Sequence, residues 1–258
     1  MKVLKPARLK KDLENGCYQF RVFHRHGATG AFSSRRFRMD FCPGGNRSVV
    51  VAHRKHFCDL AGVPFETLVY LEQIHGANIV RVGMEEAGRG ARDAHKALQG
   101  TDAVVTDTPR LTLSVHTADC APIFFVDPTR RAIGMAHVGW RGAANRLVSK
   151  VVQAFRIHFL SKPADLVIAV GPMIRSCCYQ VGAEFQEPFA SSISKRSDSL
   201  YFDLFGWIMA ELQLAGVGPQ QVHDSGICTV CENDRFPSYR KEGSRVRHML
   251  SVLAIHPL

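Results

Sequence analysis

The sequence lacks any apolar run near the roughly 18–20 residues that a membrane-spanning helix needs. Its first twenty residues are polar and lysine-rich and contain no apolar leader with a small-residue cleavage site. We therefore predict a cytoplasmic protein rather than a secreted or membrane-bound one. A signature in which aromatic residues interleave with basic ones is also missing, which disfavours nucleic acid as a partner.

Two glycine-rich signatures are absent as well. The sequence has neither the Gly-x-x-x-x-Gly-Lys-Ser/Thr loop of ATP-hydrolysing proteins nor the Gly-x-Gly-x-x-Gly loop of dehydrogenases, which disfavours both chemistries. No His-x-Glu motif is present, although the common zinc-dependent base deaminases carry one together with Pro-Cys-x-x-Cys. The Cys-x-x-Cys motif of Cys228 and Cys231 is therefore interpreted as a structural pair of thiols.

Basic residues and cysteines, by contrast, are abundant. Lysine and arginine number 33 against 23 acidic residues, and the excess is concentrated in 2–11, 35–38 and 240–247. Such charge raises the local concentration of anions such as phosphate and nucleotides. Eight cysteines in a chain of 258 residues without a secretion signal predict reduced thiols or metal ligands rather than disulfides.

The chain shows no repeat or Pro/Gly/Ser-rich linker, so residues 1–258 are predicted to form a single domain. Helical periodicity predicts helices over 48–61, capped by Ser48 and ended by Gly62, over 139–159 and over 204–215. Short β-branched and apolar runs predict strands over 18–23, 67–73, 78–82, 103–106, 111–117, 122–126, 132–137, 166–170, 222–224 and 249–254. The fold class is therefore α/β (α+β), with a mixed β-sheet flanked by helices.

Three short segments concentrate the reactive side chains at strand ends or tight turns. His75 lies in a turn between two strands, Cys120 in the next such turn, and His137 where a strand meets the long helix. Imidazole and thiolate are good zinc ligands, and three protein ligands leave a fourth position for water or substrate, as in catalytic sites. These residue types favour one catalytic metal ion bound by all three residues, with zinc as the first choice, although their wide separation in sequence does not establish such a site. The alternative is that the two histidines are hydrogen-bonded structural residues and that Cys120 is a small buried apolar residue.

The segment around His137 carries a second signal. Gly139 and Gly142 flank Arg141 at a predicted helix N-terminus, where free backbone N–H groups and the helix dipole attract anions. Arg141 could clamp a phosphate or a carboxylate there, because a guanidinium binds either in a bidentate manner. The alternative is that Arg141 opens the helix and faces solvent.

At these segments the sequence resembles the YfiH-like purine nucleoside phosphorylase family, also called the polyphenol oxidoreductase laccase or laccase-domain family. The Q-x-H-G turn, the T-A-D-C-x-P turn and the H-x-G-W-R-G junction of that family stand here, in the family's order, at 73–76, 117–122 and 137–142. Further similar segments, among them 25–27, 100–103, 177–182, 225–229 and 238–240, extend the resemblance over residues 20–254.

The resemblance implies a single α/β domain in which His75, Cys120 and His137 bind zinc in the active site. It implies phosphorolysis of adenosine, inosine, guanosine and methylthioadenosine, together with deamination of adenosine. Purine nucleosides and phosphate are then the expected partners. From charge and loop position, Arg25 and Arg141 are predicted to orient phosphate. Gln73 and Asp119, which neighbour ligands in sequence, are predicted to support the ligands or hold the base.

Three positions depart from the family's pattern. Arg175 stands where glycine is usual, which puts the shape of that loop in doubt and could add a phosphate contact. Ala28 replaces a usual glycine, and Ile208 a common asparagine. None of them neighbours a predicted ligand, so the metal is expected to be kept while substrate preference is left open.

Other interpretations use the same residues. In a Cys–His hydrolase, Cys120 would be the nucleophile and His137 its base. In a copper oxidase, the same three ligands would bind copper, with Met135 as a weak axial ligand. In a binding module, the basic face would matter and the metal would be structural. His116 is predicted at the surface rather than among the ligands, and the oligomeric state is left open.

Overall fold

The structure is a computed structural model that describes residues 9–12, 15–41 and 46–257. Within these residues the strands are β1 (Leu9–Asp12), β2 (Cys17–Phe20), β3 (Ala28–Ser33), β4 (Leu68–Val69), β5 (Ile79–Arg81), β6 (Ala103–Thr106), β7 (Thr112–Thr117), β8 (Ala121–Asp127), β9 (Ala132–Val138), β10 (Val167–Val170), β11 (Gln180–Val181), β12 (Ile193–Arg196), β13 (Ser199–Phe202), β14 (Val222–Asp224) and β15 (Met249–Ile255). The helices are α1 (Arg21–His24), α2 (Arg47–Ala61), α3 (Trp140–Ala144), α4 (Leu147–Phe159), α5 (Gln186–Phe189), α6 (Leu204–Leu214) and α7 (Tyr239–Glu242).

Two six-stranded sheets form the centre of the molecule. Sheet one has the order β1-β2-β3-β15-β7-β4, and sheet two has the order β14-β10-β8-β9-β6-β5. Three strand pairs, β4–β7, β5–β6 and β10–β14, are parallel and the others are antiparallel, so both sheets are mixed. The predicted α/β class with mixed sheet and flanking helices is confirmed, and the strands divide among these sheets and a three-stranded one, β11-β13-β12.

Along the central strands, successive side chains alternate between two apolar faces, which explains why the two sheets stack. In β8, Phe124 and Val126 face sheet one, whereas Ile123 and Phe125 face α4 and α6. Successive strand residues point to opposite faces, so a strand that is apolar throughout must be covered on both sides. The order of layers that results is α2, sheet one, sheet two, then α4 and α6.

The helices differ from their predictions at their ends. Asn46, not Ser48, caps α2, because its side chain accepts hydrogen bonds from the backbone N–H groups of Ser48 and Val49. Gly62 ends α2, as predicted, and its φ is 74°. The single helix predicted over 139–159 is wrong: it breaks into α3 and α4 at Arg146, whose φ is 57°. Leu147 begins the buried stripe of α4.

Several strand predictions are also corrected. Residues 21–23, predicted as strand, form the turn of helix α1. Of the strand predicted over 67–73, only Leu68–Val69 is strand, since hydrogen bonds from 70 and 72 go to the irregular segment 89–98 instead of to a partner strand. The three-stranded sheet of β11, β12 and β13 was not predicted, because its strands are short and half-exposed.

The predicted basic segments lie partly outside the described residues, which begin at Leu9 and so omit most of 2–11. Of the cluster at 35–38, Arg35 pairs with Glu242 at 2.9 Å. Along the described part of the chain, no helix is both long and apolar enough to cross a membrane.

Candidate metal and substrate site

Two chain crossings between the sheets and one strand end build the site. The chain passes from sheet one to sheet two between β4 and β5, where His75 lies, and again between β7 and β8, where Cys120 lies. His137 is the penultimate residue of β9, and its register partner on β8 is Pro122, two residues beyond Cys120. The seam between the two sheets therefore gathers three residues that are up to 62 positions apart in sequence.

The side chains of His75, Cys120 and His137 converge on one point. One ligand atom from each lies within 4.8 Å of the other two. The two imidazole rings stand edge to face with centroids 4.7 Å apart. Gly139 lacks a side chain for a steric reason, because a Cβ there would lie 2.8 Å from the Cys120 sulfur. The three side chains are thus close enough for one metal ion to be held by all of them.

Two of the turns hold strained backbone. His75 and Asp119, the residue before Cys120, have positive φ values of 58° and 91°. Residues other than glycine rarely adopt this region, and they do so mainly where surrounding contacts enforce it at functional sites. At the His75 turn the contacts come from Asp102, whose carboxylate accepts hydrogen bonds from the backbone N–H groups of His75 at 3.0 Å and of Gly76 at 2.6 Å. Asp119 is held instead by hydrogen bonds from the Thr229 hydroxyl and the backbone N–H of Arg240.

Asp102 also orients a ligand directly. Its Oδ1 lies 2.9 Å from Nδ1 of His137, and both side chains are buried. Burial disfavours the charged carboxylate, yet these hydrogen bonds hold the pKa of Asp102 below its ordinary value, so Nδ1 of His137 donates. The other ring nitrogen, Nε2, is left as the ligand atom, which is the usual support of a metal-bound histidine. The segment 100–103 is part of the family resemblance, but the sequence predicted no role for Asp102.

Electrostatics within the cluster favour a thiolate at Cys120. Burial alone would raise the pKa of the thiol, but His137 and His75 more than offset it and lower that pKa to about 6. In turn, Cys120 and Asp102 overcome the burial of His137 and raise its pKa to about 9. A thiolate is the form of cysteine that binds a metal or acts as a nucleophile.

The lowered pKa makes alkylation of Cys120 pH-dependent. In chelator-treated protein, we expect iodoacetamide to modify Cys120 at a rate that is constant above neutrality and falls as the pH drops through about 6. Burial raises the pKa of Cys58 to about 12, so its peptide provides the internal control and should react slowly throughout. Peptide mass mapping across the pH range measures both rates. A midpoint for Cys120 near that of an ordinary thiol would contradict the electrostatics.

A cavity of about 520 Å³ opens above the three ligands. This volume lies within the roughly 300–1,000 Å³ of small-molecule sites. Its wall offers three aromatic side chains, two arginines and two further histidines, namely Trp140, Tyr179, Tyr239, Arg141, Arg240, His116 and His248. The cavity therefore combines flat apolar faces with positive charge beside the candidate metal position.

Gln73 and Asp119 line the cavity, but both side chains are engaged with the protein. The Gln73 amide donates to the carbonyl oxygen of His116 and accepts from its N–H, each at 2.8 Å. Asp119 accepts from the hydroxyl of Thr229 at 2.5 Å and from the backbone N–H of Arg240 at 2.7 Å. These contacts tie the turns of His75 and Cys120 to the rest of the fold, and the roles predicted for Gln73 and Asp119 at the metal or the base stay predictions.

The structure does not bring Arg25 to the cavity. Its exposed guanidinium donates to the ring of His26 at 3.0 Å, at the C-terminal end of α1. Arg141 does line the cavity and lies over the ring of Trp140. Its helix α3 spans only five residues, so the long-helix dipole inferred from the sequence is not available there. Arg240, and not Arg25, is the second arginine that lines the cavity beside Arg141.

The three positions that depart from the family pattern, and Met135, all lie within the packed fold. Arg175 forms a bidentate ion pair with Asp224 and stacks on Phe205, so its charge is satisfied within the fold. Ile208 and Met135 are completely buried in cores, Met135 in the one between the sheets. Ala28 is buried too, at the start of β3.

His116 contradicts its prediction as a surface residue. It lines the cavity and stacks on Tyr70 with ring centroids 4.8 Å apart. The error arose because Thr112 and Ser114, the polar neighbours on its face of β7, are themselves buried by hydrogen bonds to backbone carbonyls. Burial holds the pKa of His116 well below its ordinary value and keeps the ring neutral.

Comparison with known proteins identifies similar chains. A family model described as multi-copper polyphenol oxidoreductase laccase matches residues 19–256. The purine nucleoside phosphorylase YlmD of Geobacillus stearothermophilus is 31% identical over 240 residues, covering 89% of this chain and 87% of that protein. The purine nucleoside phosphorylase YfiH of Escherichia coli is 29% identical over 77% of this chain and 78% of its own length. The crystal structure of YlmD from Geobacillus stearothermophilus superposes with a TM-score of 0.91 at 28% identity, covering 98% of this chain and 100% of that chain.

Proposed function

Because the chain belongs to the multi-copper polyphenol oxidoreductase laccase family, whose YlmD and YfiH members are named purine nucleoside phosphorylases, we propose that it cleaves purine nucleosides with phosphate. One observation carries this proposal: a His–Cys–His cluster lies in a cavity that offers both aromatic faces and arginine side chains. Adenosine, inosine, guanosine and methylthioadenosine are the proposed substrates, and deamination of adenosine is a proposed second activity.

The donor set fits a zinc ion. His75, Cys120 and His137 would hold it, with two imidazole nitrogens and one thiolate, and a fourth position would face the cavity. When bound, zinc supplies a Lewis acid that polarises an oxygen or lowers the pKa of a water molecule. Copper accepts the same ligands and is the alternative metal. Met135 lies in the core between the sheets, so its packing gives no support to a copper site with that axial ligand.

The purine base can stack on the aromatic wall. Tyr179 is half-buried and Tyr239 is exposed, and both line the cavity. The ring of His116 also lines the cavity, and burial keeps it neutral. A neutral imidazole can donate to or accept from a base or a ribose hydroxyl. We assign His116 to nucleoside binding for this reason.

Two arginine side chains in the cavity wall can bind the phosphate that takes part in the reaction. In phosphorolysis a phosphate oxygen forms a bond to C1′ of the ribose as the bond from C1′ to the purine nitrogen breaks, and the base leaves with a proton. Arg141 and Arg240 line the same cavity as the three ligands and can hold the phosphate through charge-assisted hydrogen bonds. Arg240 is itself held, since its guanidinium donates to the carbonyl oxygen of Gln180 at 2.9 Å.

We expect Arg141→Ala to raise KM for phosphate by about 10- to 100-fold, because a hydrogen bond to a charged group contributes roughly 1.5–3 kcal/mol. The KM for nucleoside should change less. Arg25→Ala is the matched control, as it removes an equally exposed arginine outside the cavity wall and should leave both constants unchanged. Steady-state kinetics at varied phosphate measure the effect. An Arg25 effect larger than the Arg141 effect would contradict this assignment.

The proposed reaction is tested by incubating zinc-loaded protein with adenosine, with and without phosphate, and separating the products by chromatography. Adenine that appears only with phosphate supports phosphorolysis, and inosine that appears without phosphate supports deamination. Neither product in either tube would overturn the proposal.

A second candidate function rests on one specific contact pattern. In a Cys–His hydrolase, Cys120 would be the nucleophile, His137 its base and Asp102 the carboxylate that orients the base. The hydrogen bond between His137 and Asp102 and the lowered pKa of Cys120 fit these roles. His75 is not needed for that chemistry, whereas a metal site uses it. Iodoacetamide labelling of Cys120 separates the two functions: bound zinc should block labelling in a metalloenzyme, and a hydrolase should label equally with and without added zinc.

A further inference from the structure

A second group of sulfur ligands lies outside the site described above. Cys177 and Cys178 follow β10, and Cys228 and Cys231 follow β14. Since β10 and β14 are parallel neighbours, their carboxyl ends deliver both segments to the same edge of sheet two. The segments are then joined by hydrogen bonds, such as that from the N–H of Thr229 to the carbonyl oxygen of Met173 at 3.1 Å.

The four sulfurs form a tight cluster. The Sγ atom of Cys177 lies 3.5 Å from that of Cys228 and 3.6 Å from that of Cys231, and Cys178 and Cys231 are 3.4 Å apart. All four lie within 4.8 Å of one another. These separations exceed the about 2.05 Å of a disulfide. They are close to the about 3.8 Å between sulfurs that a tetrahedron with Zn–S bonds of about 2.3 Å requires.

Backbone donors surround one of the sulfurs. Backbone N–H groups of Cys231, Arg175 and Val230 are directed at the sulfur of Cys228. Such donors stabilise a thiolate, as they do any buried anion. A turn that directs two N–H groups of a Cys-x-x-Cys loop at its first sulfur is arranged for a metal-bound thiolate, whereas a neutral thiol gains little from it.

We propose that Cys177, Cys178, Cys228 and Cys231 bind a structural zinc ion through four thiolates. Binding releases the four thiol protons and fills all four positions of the tetrahedron, so this ion has no open position for substrate. The interpretation of Cys228 and Cys231 as a pair of thiols is thereby extended to a four-ligand site, which the sequence hides because Cys177 and Cys178 are adjacent.

The ion would join two walls of the substrate cavity. Tyr179, which lines that cavity, follows Cys178 directly. Thr229, which follows Cys228, donates its hydroxyl to Asp119 next to the ligand Cys120. The proposed ion thus positions both segments without contacting substrate. This role goes beyond the proposed nucleoside chemistry and does not depend on it.

The test is a count of metal ions in protein produced with added zinc and freed of loosely bound metal. One ion for each of the two ligand groups is expected in the wild type. Cys120→Ala should keep one ion, and replacing its zinc by cobalt should give the intense thiolate-to-metal charge-transfer absorption of a four-sulfur site. Cys228→Ser/Cys231→Ser should also keep one ion, held by the His–Cys–His ligands, without that spectrum.

Cys58→Ala, which changes a buried thiol outside both groups, is the control and should keep both ions. The proposal is overturned if Cys120→Ala contains no zinc, or if its cobalt form lacks the four-sulfur spectrum. It is equally overturned if mass spectrometry of the freshly purified wild type shows a disulfide among these four cysteines. Because the measurement concerns the Cys120→Ala protein, it gives its answer even if the double-serine variant fails to fold. An absence of nucleoside cleavage would leave the result unaffected.

Discussion

Asp102→Asn is expected to release the metal more readily and to destabilise the fold. The asparagine keeps the shape, but one carboxylate oxygen that accepts from His75, Gly76 or His137 becomes an NH2 group that faces an N–H donor. Breaking a buried pair of this kind costs about 3–5 kcal/mol of the free energy of unfolding. Loss of the histidine's supporting carboxylate weakens metal binding by about 10- to 100-fold.

Denaturant unfolding and zinc titration with a competing chelator measure the two effects. Asp107→Asn is the matched control: its side chain is 43% exposed and forms a surface ion pair with Arg81, so its change in stability should stay within about 1 kcal/mol. If Asp102→Asn kept both wild-type stability and wild-type zinc affinity, the role assigned to Asp102 would be wrong.

Cys120→Ala is expected to abolish metal binding at the cavity and with it phosphate-dependent cleavage of nucleosides. It removes a ligand itself, so the loss of affinity should exceed the about 100-fold ascribed to a supporting residue. The fold should survive, because alanine fits a half-buried position and His137 keeps its pair with Asp102, while its pKa falls toward its ordinary value as the thiolate is removed.

Cys58→Ala removes another cysteine far from the cavity lining and should retain full activity per folded molecule. Turnover and metal content are measured on the same preparations, and circular dichroism confirms the fold of each. Full turnover by Cys120→Ala would refute both the metal site and the Cys–His hydrolase, since both depend on that sulfur.

The sequence pointed to His75, Cys120 and His137 because each stands in a short motif with local causes. A glycine follows His75, a proline follows Cys120 by two positions, and Gly139 leaves room beside the Cys120 sulfur. Turns of this kind can be predicted from a few neighbouring residues. The strands over 103–138 can be predicted in the same way, and their observed bounds are close to the predicted ones. That the three side chains would converge on one point was predicted from their residue types, from their positions at strand ends and turns, and from the family resemblance, because their spacing in the sequence does not establish it.

What the sequence did not disclose depends on long-range pairing. Asp102 contacts residues 26 to 35 positions away, and only the pairing of β6 with β9 places it beside His137. Arg25 was assigned to phosphate from its charge and loop position, whereas the fold turns that loop away from the cavity. Arg240 lies 120 positions from Cys120 in the chain, and only the return of the chain from β14 to β15 brings it there.

The position of the ligands at the crossings between the sheets has a thermodynamic consequence. A metal ion that binds only the folded chain adds RT ln(1 + [M]/Kd) to stability, about 4 kcal/mol at a free concentration 1,000 times Kd. His75 and Cys120 sit where the chain passes from one sheet to the other, so this free energy acts on the association of the sheets rather than on either sheet alone. Chelation should therefore accelerate amide hydrogen exchange first in the crossings at 73–78 and 118–121, while α2 and the centre of β15 keep their protection.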